Sequence, residues 1–83
     1  RENKEGYFEI YKRMVGRLRD MMLAVNPDYP FPASLASTVL EGAMHQYFLK
    51  EHFPSLTDCE NKESVYQFFR HQVFTSLNVQ IDD

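Results

Sequence analysis

The sequence predicts an all-α chain of three helices, on three observations. Apolar residues recur at three- and four-residue spacing over three helix-length stretches, about 5–25, 32–53 and 62–79. Prolines and polar clusters fall between those stretches. No segment shows the strict alternation of a half-buried strand or the short turn signals of a hairpin.

The first helix is expected from about Glu5 to Val25. Tyr7, Tyr11, Met14, Leu18, Met21 and Val25 repeat at alternating steps of four and three, and Phe8, Val15 and Met22 widen that stripe. The link 26–31, reading NPDYPF, holds two prolines before Pro32 and predicts an ordered reversal, with Tyr29 and Phe31 as apolar plugs at the end of the bundle.

The second helix is expected from Pro32 to Phe53. Pro32 suits the first turn because a helix leaves that N–H unpaired anyway, Ser34 is an alternative cap, and Pro54 stops the helix. One wall carries Ala36, Val39, Leu40, Ala43, Tyr47 and Phe48 and reads as core. A second line carries Leu35, Thr38, Gly42, His45, Leu49 and His52 and reads as a subunit contact. Gly42 costs about 1 kcal/mol against alanine in an exposed helix interior, so its place here suggests a close approach by another group.

The stretch 54–61 reads as a polar loop with room for one helical turn. The third helix is expected from about Lys62 to Val79, with Asn61 as N-cap and Glu63 in the first turn, where a carboxylate suits the helix dipole. Val65, Phe69, Val73 and Leu77 step by four, flanked by Tyr66, Phe68 and Phe74.

At 83 residues and 43% apolar, the chain reads as one small helical domain whose core must be thin. It has one cysteine, Cys59, which excludes an internal disulfide and suits a reducing cytoplasm. No run of 18 apolar residues is present to span a membrane, and the charged start lacks the apolar core of a signal peptide. Arg1 in place of an initiator Met reads as a point inside a longer protein. The first 25 residues hold six Lys/Arg against four Asp/Glu, and the remainder three against eight, ending on the acidic Asp82 and Asp83. Lys12, Arg13, Arg17 and Arg19 alternate with Glu9 and Asp20, which is a solvated helix face and not a phosphate-binding patch.

The catalytic inventory is thin, and an enzyme is not expected. Gly6, Gly16 and Gly42 are too far apart for a phosphate loop, and Cys59 with the three histidines forms no nucleophile–base pattern. Glu41, His45 and His52, with Cys59, are the sharpest metal-ligand candidates, but the spacing matches no zinc motif. His45 reads better as a pH-sensitive interface residue. No metal or cofactor is expected.

The segment LASTVLEGAMHQYFLKEHFP, the polar loop after it and the helix NKESVYQFFRHQVFTSL resemble the last two helices of TetR-family transcription regulators. Leu40, Glu41, Gly42 and Ala43 match that family's small-residue segment in the penultimate helix. The resemblance implies an all-α regulatory domain, effector-responsive repression, and a four-helix dimer bundle built from the last two helices of each subunit. DNA contact would belong to an N-terminal helix-turn-helix outside this sequence.

The expected function is therefore effector binding and dimerisation in a TetR-like regulator; the alternative is a free-standing adaptor that binds a partner helix in a groove. A small apolar effector is expected against Tyr11, Met14, Leu18, Met44, Tyr47 and Phe48, because seven Phe, five Tyr and four Met exceed the needs of a thin core. The homodimer contact is expected at Leu35, Thr38, Gly42, His45 and Leu49 of the second helix with Tyr66, Phe69, Arg70, Val73 and Leu77 of the third.

The net charge of −3 predicts that this segment does not bind duplex DNA at physiological salt. Fluorescence anisotropy with a labelled duplex checks this, and salt-sensitive micromolar binding would contradict it.

Overall fold

The computed structural model describes residues 2–79 as three α-helices and one short 3₁₀ turn: α1 (Glu2–Val25), α2 (Pro32–His52), the turn Pro54–Leu56, and α3 (Lys62–Ser76). No strand occurs among the described residues. Arg1, Asp82 and Asp83, on which the start and the acidic tail were read, lie outside them. The chain forms two compact units, Arg1–Ser37 and Thr38–Asp83, divided within α2.

In the first unit, α1 turns a different edge inward from the one its periodicity suggests. Met22 is buried, and Tyr11, Val15 and Leu18 are half-buried, whereas Tyr7, Met14, Met21 and Val25 are exposed. Each residue rotates a helix by about 100°, so Tyr7, Met14 and Met21 and the next-door Val15 and Met22 lie on two edges of one broad apolar arc, with Phe8 exposed at the start of the second. Spacing gives the arc, and packing selects the edge.

At the end of α1 the Asn26 N–H still donates to the Met22 carbonyl, the Asn26 carbonyl accepts from Tyr29 N–H, and the Asn26 side chain accepts from Asp28 N–H. With Pro27 supplying its fixed φ, this is the ordered turn expected of the link. Phe31 is not the apolar plug expected of it, while Tyr29 is half-buried. Their rings meet edge to face at 6.3 Å, and Phe31 stays exposed. Helix α2 then starts on Pro32, because the Phe31 carbonyl accepts the first helical bond, from Leu35 N–H. Ser34 is not the cap; its carbonyl accepts from the Ser37 hydroxyl.

In the second unit, α2 ends one residue before Phe53 as Pro54 removes the next donor and opens the 3₁₀ turn. Asn61 caps α3 in a reciprocal box. Its side chain accepts from Ser64 N–H at 2.9 Å, and the Ser64 hydroxyl oxygen accepts from the Asn61 N–H at 3.0 Å. The far end of α3 falls short of Val79. Asn78 adopts φ 61°, its N–H donates to Thr75, and the Val79 N–H donates back to Phe74, so the helix closes at Ser76 in a left-handed cap. The stripe Val65, Phe69, Val73 and Leu77 is the inner face of α3, where the sequence reading sets Phe69, Val73 and Leu77 at a subunit contact: Val65 and Leu77 are buried, and the two between are half-buried.

Replacing Asn61 with alanine removes the acceptor for Ser64 N–H and is expected to cost about 1 kcal/mol. In a domain this small that lowers Tm by about 4–8 °C, while Asn61→Asp keeps the cap and the Tm. Thermal melts followed by circular dichroism check both values.

Candidate functional site

The rotation of α2 in the second unit decides which side chains remain available. A Cβ built on Gly42 would lie 2.7 and 2.9 Å from the rim of the Phe69 ring, so the close approach that this glycine permits is to α3 of the same chain. One turn on, Gln46 accepts through Oε1 from the Thr57 hydroxyl, which in turn accepts from Cys59 N–H at 3.0 Å. Gly42, Gln46 and half-buried Leu49 therefore form the inner line of α2.

This changes the account of the expected dimer contact. Gly42 is engaged within the chain, and Leu77 is 1% exposed and has no surface to offer a second subunit. Leu35, Leu49, Phe69, Arg70 and Val73 are half-buried, leaving Thr38, His45 and Tyr66 as the exposed members. Arg70 lies over the Phe74 ring at 5.2 Å.

The opposite face of α2 carries the apolar surface. Met44, Tyr47 and Phe48 are exposed by 55%, 43% and 50%. The expected core wall thus holds only at its start: Ala36 is buried and Val39, Leu40 and Ala43 are half-buried, while Tyr47 and Phe48 face outward. Phe48 is the hub of an exposed ring cluster, with His45 nearly parallel at 6.5 Å, His52 at 4.6 Å and Phe53 at 6.1 Å. On α3, Tyr66 and Phe68 are also exposed, Phe68 standing edge-on to Phe69 at 4.8 Å.

Surface grooves run along the described residues, some of them on a single helix. One follows Gln67, Phe68, His71, Gln72 and Thr75 of α3, and another of about 210 Å³ follows Ile10, Arg13, Met14 and Arg17 of α1. A further groove lies between two elements: about 470 Å³ between Phe8, Tyr11, Val15 and Gly16 of α1 and Ala33 and Ser34 at the start of α2. Of the six side chains expected around an effector, Tyr11 lines this groove and Met14 the single-helix one. Leu18 is half-buried, and Met44, Tyr47 and Phe48 belong to the outer face of α2.

In comparison with known proteins, no family model, no curated protein and no solved structure matches this chain.

The reactive side chains are dispersed. Cys59 is buried, and its thiol points to the Ser64 carbonyl at 3.8 Å. His45 and His52 both turn to Phe48, and no group of three His, Cys, Asp or Glu converges among the described residues. Among those residues, too, no helix is long and apolar enough to cross a membrane. Spacing alone separates the members of the Phe48 cluster, with Phe48 on the wall read as core and His45 and His52 on the line read as a contact. The one available signal was local: residues 45, 48 and 52 share a helix face at steps of three and four, and Phe53 follows directly.

At the α2–α3 crossing, Gly42→Ala gains about 1 kcal/mol of helix propensity but forces the Phe69 ring to move, at about 1–3 kcal/mol. The expected net effect is destabilisation, reversed to stabilisation when Phe69→Leu removes the ring rim. Urea unfolding of both single variants and the double variant measures that coupling.

Proposed function

We propose that this chain is the effector-binding and dimerisation region of a TetR-like transcription regulator and works as a homodimer. The observation that carries the reading is the exposed aromatic face of the second unit, centred on Phe48 and flanked by Met44, Tyr47 and Phe53. An apolar patch of this kind marks an interaction surface. A second copy presents the same patch, so a two-fold contact covers both at once.

The dimer contact therefore keeps Thr38, His45 and Tyr66 from the expected set and adds Met44, Tyr47, Phe48 and Phe53. The resemblance of the α2 and α3 segments to the last two helices of the TetR family supports the same element pair as the dimer bundle. The groove between α1 and the start of α2 supplies the space for an effector.

Sedimentation equilibrium on the order of tens of micromolar protein is expected to give a dimer, since interfaces of standard size persist at such concentrations. Phe48→Asp places a charge at the centre of the patch, and is expected to give a helical monomer. A well-folded wild-type monomer, or a dimer indifferent to Phe48→Asp, would overturn the proposal.

A further inference from the structure

The groove in the first unit has a chemical bias that the apolar-effector expectation does not include. Its floor is built from small or apolar groups. Gly16 has only Arg19 near the position of a Cβ, and Ala33, Ser34 and Ser37 face it with short side chains. Phe8 and Val15 supply apolar walls. The charged side chains that line it are Lys12 and Arg19, both cations, in a chain whose net charge is −3.

These two cations are seven residues apart, so they stand on one edge of α1, about 10 Å from each other along the helix. The Arg19 Nη2 lies 3.6 Å from the Cβ position of Gly16, which puts the guanidinium end at the groove floor. Lys12 stands 5.8 Å from the centre of the Phe8 ring. Each cation also meets an exposed carboxylate of its own helix, Lys12 with Glu9 at 3.6 Å and Arg19 with Asp20 through Nε at 3.2 Å. Such solvent-exposed pairs are weak and leave a guanidinium or ammonium able to engage a second anion.

We propose that the groove between α1 and the start of α2 binds a small amphipathic anion, with an apolar body along Phe8, Val15 and Gly16 and a carboxylate at Lys12 or Arg19. The proposal rests on the effector-binding reading above and names the class of effector. A volume of about 470 Å³ falls within the range of small-molecule sites.

Three eight-carbon probes separate the contributions: octanoate, octan-1-ol and octylammonium, titrated into the full chain by calorimetry. Octanoate is expected to bind, the alcohol to bind at least tenfold more weakly, and the cation not at all. Lys12→Glu with Arg19→Glu is expected to remove the octanoate preference, and Gly16→Phe, which fills the floor, to abolish binding. Circular dichroism of both variants verifies that the helices persist. Equal binding of octanoate and octanol, unmoved by charge reversal, overturns the anionic class while leaving effector binding standing. Binding that survives Gly16→Phe overturns the groove as the site. Absence of binding by any probe overturns the groove proposal, and the dimer is decided separately by sedimentation.

Discussion

The Phe69 ring occupies the space that a side chain at residue 42 would need. Any residue with a Cβ at that position must displace the ring, so the rotation of α2 against α3 is tied to one missing methyl group. The hydrogen bond from Thr57 to Gln46, one turn further along, holds the same rotation from the loop side. With the line Gly42, Gln46 and Leu49 turned inward, helix geometry leaves Met44, Tyr47 and Phe48 no choice but the outside.

That outcome has an energetic consequence. Among the described residues few large side chains are buried: Met22, Val65 and Leu77, together with the small Ala36 and Cys59. A short chain with so thin a core gains disproportionately from any further apolar burial. Covering a side chain such as Met44 or Phe48 contributes about 1.5–3 kcal/mol. A second copy docked on this aromatic face, as proposed, would therefore stabilise the folded subunit by mass action.

The loop between α2 and α3 is organised by short-range polar bonds. Thr57 accepts from Cys59 N–H, and Ser64 accepts from both Glu60 and Asn61 N–H while its own hydroxyl donates to the Asn61 carbonyl. These bonds satisfy the N–H groups of Cys59, Glu60 and Asn61, which lie outside both helices, beside the buried Cys59 thiol. The loop thereby acts as a brace for the crossing, which explains how a polar, turn-rich segment holds a buried cysteine.

The sequence by itself determined the class, the number of helices and most of their ends, because those depend on local chemistry. Pro32 fits a first turn, Pro54 removes a donor, and Asn61 caps whatever helix follows it. The stop at Asn78 was also local, since asparagine tolerates the left-handed conformation, but the apolar stripe carried the expected end on to Val79. Of the candidate surfaces, the sequence indicated that apolar area exceeds what three short helices cover, and many large apolar side chains are exposed among the described residues. Only the tertiary structure decided which edge of each broad apolar arc turns inward. It set Met22 in place of Met21, and Gly42 and Leu49 in place of Tyr47 and Phe48. The physical reason is that periodicity defines an arc about a helix axis, while the angle at which that arc meets its neighbour depends on contacts distant in sequence, such as Gly42 with Phe69.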